Sequence, residues 1–129
     1  MKYMVFAAAA LLAAPAMADD SQRWFESASV LTQETGEGIY NAICVACHMP
    51  EGVGSYEGAG IYPALADNAM LANAGYPIHV VLNGQKAMPP LGGVLNDAQV
   101  AEVVNYIRTN WGNSAEDVVT AEQVAAQRQ

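Results

Sequence analysis

The sequence predicts a small all-α fold, and three observations carry that expectation. Apolar side chains recur at spacings of three and four in two segments, Gly36, Ile39, Tyr40 and Ile43 in one and Val100, Val103, Val104, Ile107 and Trp111 in the other. Residues that start and stop helices bracket them: Thr32 ahead of the first, and Asn96, Gln99 and Gly112 around the second. No strand-rich segment precedes the two cysteines into which the first helix runs.

In chain order, the first element is not part of the fold. Lys2, the apolar run Val5 to Ala14 and Ala16-Met17-Ala18 have the charged start, short apolar middle and small-residue end of a secretory signal, with cleavage expected after Ala18. The apolar part is shorter than the ~20 residues needed to span a bilayer. Residues 1–18 are therefore read as a signal peptide and 19–31 as a leader carrying Trp24 and Phe25. A single domain at 32–112 and a tail at 113–129 with a short helix complete the chain.

The first helix should start near Thr32 and run into Cys44-Val45-Ala46-Cys47-His48. A glycine within a helix costs ~1 kcal/mol relative to alanine, so Gly36 should mark a place where something packs closely. On a helical turn, positions 44, 47 and 48 share a face, so two thioether bonds and one axial imidazole can reach the same porphyrin. A thioredoxin-type redox pair should instead open the helix of a strand-helix-strand unit. A zinc site would need further donors, and the chain has one other histidine, His79.

A shorter middle helix has Pro77 in its first turn, Ile78, Val81 and Leu82 on one face and Gly84 at its end; His79 falls off that face and reads as an exposed residue. Then comes Ala87-Met88-Pro89-Pro90. An electron-carrying haem iron needs a sixth ligand opposite the histidine, and a thioether is soft, neutral and favours the reduced state. Three methionines follow the signal. Met49 adjoins His48 and cannot reach the far face, and Met70 precedes the middle helix without a rigid loop to hold it. Met88 is followed by two prolines that fix the backbone. The strongest helix, from Asn96 to Gly112, should pack against Gly36, with Tyr40 and Tyr106 in the core.

Charge narrows the partners. Thirteen acidic side chains stand against five basic ones, of which Lys2 lies in the signal. Nucleic acid and anionic membrane are poor partners for such a chain, because phosphate contact needs basic patches. The expected rim of the site is apolar, formed by Val45, Ala46, Ala87, Met88, Pro89 and Pro90 with Lys86 nearby, which suits transient redox encounters with a neutral or basic docking face.

From Thr35 onward the chain resembles a class I c-type cytochrome, in particular the monohaem subunits and domains that accompany bacterial periplasmic alcohol, sugar-acid and alkylphenol dehydrogenases. The motifs that carry the likeness are Gly36 and Tyr40 ahead of Cys44-Val45-Ala46-Cys47-His48, then Tyr62-Pro63-Ala64-Leu65-Ala66, Val81-Leu82-Asn83-Gly84, Ala87-Met88-Pro89-Pro90 and Tyr106-Ile107-Arg108-Thr109-Asn110-Trp111-Gly112-Asn113. The resemblance implies an all-α cytochrome c fold with its first and last helices crossed around one covalent haem c. It implies thioether cysteines at Cys44 and Cys47, proximal and distal ligands at His48 and Met88, and at Pro63 a carbonyl that orients the histidine. The segment from Glu51 to Tyr62 is longer than the family's usual loop, and Val119 to Ala126 reads as a short capped helix.

The function expected is non-enzymatic, periplasmic transfer of single electrons, as the accepting subunit or dedicated acceptor of a flavin- or PQQ-dependent dehydrogenase. A free shuttle to a terminal oxidase is the alternative, and an open-iron peroxidase or gas sensor the third. Stable membrane insertion is not expected.

Overall fold

The hydroxyl of Thr35 accepts the Gly38 amide at 3.1 Å and so begins the first helix, three residues later than the sequence suggests. The reason lies in Gln99, whose buried amide donates to the carbonyls of Leu31 (2.7 Å) and Gln33 (2.8 Å) and holds that stretch extended. Thr32 is thus not the cap. This computed structural model describes residues 25–27, 30–57 and 60–128; the expected signal at 1–18 and Trp24 lie outside them.

Helix α1 (Gly36–Ile39) passes through a π-helical turn, Tyr40–Cys44, into α2 (Val45–His48). The wider turn re-aims the helix, burying Ile39 and Tyr40 and leaving Ile43 half-buried. A 3₁₀ turn at Ala69–Ala72 precedes α3 (Gly75–Asn83), which buries Pro77, Ile78, Val81 and Leu82 as the periodicity predicts and closes on Gly84. Helix α4 (Asp97–Thr109) opens with the expected capping box, Asn96 accepting the Gln99 amide at 2.9 Å and Gln99 accepting the Asn96 amide at 3.0 Å.

The end of α4 departs from expectation. Thr109 and Asn110 donate side-chain hydrogen bonds to the carbonyls of Asn105 and Tyr106, both at 2.8 Å, closing the last turn from within. Asn110 is extended and Trp111 left-handed (φ 54°), so Trp111 leaves the helix and folds back onto Tyr40 and Tyr106, with ring centroids 4.7 and 5.2 Å away.

Helices α1 and α4 cross at Gly36. A Cβ there would run into the Glu102 carbonyl and stand 2.6 Å from the Tyr106 Cβ, so only glycine allows the approach. Around the crossing lies the core, with Ile39, Tyr40, Ile78, Val100, Val103 and Val104 almost fully excluded from water.

The tail is packed into this body. Helix α5 (Ala121–Gln127) is capped reciprocally by Thr120 and Gln123, and Val119 and Val124 are buried. Asn105 bonds both the carbonyl and the amide of Val119, at 2.9 and 2.8 Å. Arg108 is 1 % exposed, and its guanidinium joins the carbonyls of Leu71, Ala72 and Asp117 and the Asp117 carboxylate, the last at 2.7 Å. Sequence reasoning did not mark Arg108 as a clamp.

Among the described residues the only sheet is a two-stranded antiparallel ribbon, β1 (Phe25–Ser27) with β2 (Val30–Leu31), so the all-α class stands. No helix of the described residues is long and apolar enough to cross a membrane.

Candidate cofactor site

Cys44 ends the π-helical turn, and Cys47 and His48 follow within α2, all three half-buried. Neither Cys44 nor Cys47 is paired in a disulfide. As a thiol, Cys44 is pushed up to about 12 by burial, aided by the neighbouring Cys47.

The Nδ1 of His48 lies 3.0 Å from the carbonyl oxygen of Pro63. A carbonyl only accepts, so Nδ1 carries the proton and Nε2 is left with its lone pair for a metal. The Pro63 carbonyl is itself held. Ser55 and Tyr62 exchange backbone hydrogen bonds of 2.9 and 2.7 Å, and the Leu65 and Ala66 amides donate to the Gly52 carbonyl at 2.7 and 3.0 Å. The segment expected to be a longer loop, Glu51 to Tyr62, is thus a braced excursion over its described residues, with Tyr56 and Ile61 exposed.

Met88 closes a tight turn in which Gln85 and Met88 exchange backbone hydrogen bonds at 3.0 and 2.9 Å around a left-handed Lys86 (φ 53°). Beyond the two prolines, the Leu91 and Gly92 amides donate to the Val81 and Leu82 carbonyls at 2.9 and 3.2 Å, tying the loop to α3. The methionine is therefore anchored on both flanks and half-buried against the core.

The remaining candidates are placed differently. Met70 does have a rigid turn, because Asn68 accepts its amide at 3.0 Å, which corrects the expectation of an unsupported loop; the residue is 57 % exposed. His79 is exposed, with its Nδ1 3.2 Å from the Asn83 amide nitrogen. Met49 is half-buried beside His48. Ala46, Lys86, Ala87, Pro89 and Pro90 are exposed, with Val45 and Met88 half-buried among them. Among the described residues, no three His, Cys, Asp or Glu side chains gather as a metal site would require.

Two cysteine sulfurs one turn apart, an imidazole whose outer nitrogen is free, and a thioether fixed on a separate braced loop are groups of the kinds that a covalently attached haem takes. The chemistry of the donors fits that group.

Comparison with known proteins gives the family. Residues 32–107 match the family described as "Cytochrome C oxidase, cbb3-type, subunit III". The chain belongs to this family of c-type cytochromes. It is 38 % identical over 111 residues to the gluconate 2-dehydrogenase cytochrome c subunit of Pantoea cypripedii, a match covering 74 % of this chain and 24 % of that protein. It is 34 % identical over 106 residues to the cytochrome c subunit of alcohol dehydrogenase (quinone) of Gluconacetobacter polyoxogenes, covering 72 % and 22 %. Cytochrome c6 of Bumilleriopsis filiformis is 37 % identical over 81 residues, covering 57 % of this chain and 86 % of that protein. The cytochrome thus spans about a quarter of the length of the dehydrogenase subunits it matches. Electron transfer by covalently bound haem c is the function of the family, and Cys44 and Cys47 fit its attachment motif.

Proposed function

We propose that this cytochrome carries single electrons in the periplasm on one haem c, which Cys44 and Cys47 would hold through thioethers and to which His48 Nε2 and Met88 would be the protein ligands. The observation that carries the assignment is the His48 Nδ1 to Pro63 carbonyl bond of 3.0 Å, which orients the imidazole and fixes its proton away from the metal. The haem, when bound, supplies a one-electron couple. The chain's part is to keep that couple's surroundings the same in both states: Pro63 holds the ring of His48, and the braced turn at Gln85–Met88 holds the thioether. With His48 and Met88 both given to the haem as ligands, the chain would offer a substrate no place on it, which supports a carrier rather than an enzyme.

The donor proposed is a flavin- or PQQ-dependent dehydrogenase, supported by the named dehydrogenase subunits among the relatives. The exposed apolar rim at Ala46, Ala87, Pro89 and Pro90 is the proposed contact, and the acidic balance of the chain favours a neutral or basic docking face. Export rests on the Lys2 to Ala18 pattern. A second reading, a free shuttle to a terminal oxidase, is favoured by the cytochrome c6 match, which extends over 86 % of that protein.

Recovering the tagged, pigmented protein from its native periplasm tests the choice. The proposal expects a larger flavin or PQQ dehydrogenase to accompany it and to reduce it when given substrate. Recovery alone, with oxidation by a terminal oxidase and no reduction by any dehydrogenase of that periplasm, would favour the shuttle.

A further inference from the structure

Met49, the residue directly after His48, has φ 64° and ψ 165°, a backbone region that is essentially reserved for glycine. Strain of this kind persists where neighbouring contacts over-determine it, and here they do. The Met49 amide donates to the Val45 carbonyl at 3.0 Å, and its carbonyl accepts the Gly52 amide at 3.2 Å. The same carbonyl also accepts the Tyr40 hydroxyl at 2.7 Å.

Tyr40 is 1 % exposed, and its ring is set by Trp111 and Tyr106 at 4.7 and 5.8 Å. Ring packing alone would be served by phenylalanine. The hydroxyl does something else: it reaches from the helix crossing to the peptide that leaves His48. Burial pushes its pKa up to about 12, so it remains a donor across the neutral range.

We propose that Tyr40 is a positioning residue for the proximal ligand, its hydroxyl holding the strained Met49 peptide so that the backbone of His48 stays fixed while Pro63 fixes the ring. This rests on His48 being the haem ligand. The ring is then held from one side by a carbonyl and the backbone from the other by a phenol, the second contact being carried by Tyr40, eight residues upstream of His48. The Gly54 amide, donating to the His48 carbonyl at 2.9 Å, completes the hold on the backbone.

The test is made on full-length holoprotein in its ferric state, reading the paramagnetically shifted proton resonances of the haem methyls and the His48 ring, which report the direction of the imidazole plane. Tyr40→Phe keeps the ring and removes the hydroxyl. It should redistribute the haem methyl shifts and move the midpoint potential. Tyr106→Phe, which removes a hydroxyl from the same aromatic group, should leave both as in the parent. In a Met49→Gly background, where the backbone region carries no penalty, Tyr40→Phe should change the methyl shifts much less than it does in the parent.

A Tyr40→Phe protein with a lowered unfolding midpoint but parental methyl shifts and potential would overturn the proposal, leaving only a structural hydroxyl. Equal changes in both backgrounds would overturn the role given to the Met49 peptide. A parent protein without shifted histidine ring resonances would overturn the assignment of His48 itself, and is thereby told apart from failure of Tyr40 alone.

Discussion

Gly84 stands against Met88 so closely that a Cβ at Gly84 would lie 2.5 Å from the Met88 carbonyl oxygen and 2.8 Å from the Pro90 nitrogen. Its φ of 71° is also left-handed, so side chains are disfavoured there twice over. Gly84→Ala is expected to displace the Gln85–Pro90 turn and destabilise the fold by at least ~1 kcal/mol. Carbon monoxide binding by the reduced variant, absent in the parent, is the measurement that shows the thioether has moved.

Met88→Ala goes further by removing the proposed ligand. The haem should stay attached while the reduced protein binds carbon monoxide and its midpoint potential falls. Unchanged spectra and potential would pass the sixth position to another residue, with His79 the first to examine.

The helix crossing gives a stability prediction. Gly36→Val would force β-branched bulk into the Glu102 carbonyl and the Tyr106 side chain. Overpacking of this kind costs ~1–3 kcal/mol, read as a lower midpoint in chemical denaturation with little change in slope.

Arg108 and Asp117 supply the pH dependence. The Arg108 guanidinium bonded to the Asp117 carboxylate holds that carboxyl below its ordinary range. A lowered native pKa means that the stabilisation is complete above the unfolded carboxylate value, ~4, and is lost as pH falls through the lowered value. Asp117→Asn should therefore be less stable than the parent at neutral pH, with the gap closing as both are acidified. Arg108→Leu should cost more at every pH, at least ~2 kcal/mol, because the carbonyls of Leu71 and Ala72 lose their donor as well.

What the sequence made legible was whatever lies in local pattern. The box at Asn96 with Gln99 and the short capped helix of the tail are short-range chemistry, and the notch at Gly36 is visible against the stripe that contains it. The attachment motif and the rigid Met88-Pro89-Pro90 run are contiguous. Hidden were features whose partners are backbone atoms far away in the chain. Gln99 delays the first helix by holding two carbonyls, and Arg108 is buried by carbonyls at Leu71, Ala72 and Asp117. Trp111 fits the stripe of α4, so periodicity alone extends the helix to it; side-chain bonds from Thr109 and Asn110 end it sooner. At the site, the sequence reads Tyr40 as core, because spacing registers its ring but not the carbonyl that its hydroxyl finds.

Covalent attachment at Cys44 and Cys47 is the claim on which the rest of the functional account stands, and acid-acetone extraction of the exported, mature protein tests it most directly. The account predicts that the pigment stays with the precipitated polypeptide and that Cys44→Ala with Cys47→Ala releases it. Pigment passing from the unaltered protein into the organic phase, or a mature protein without colour, would contradict it.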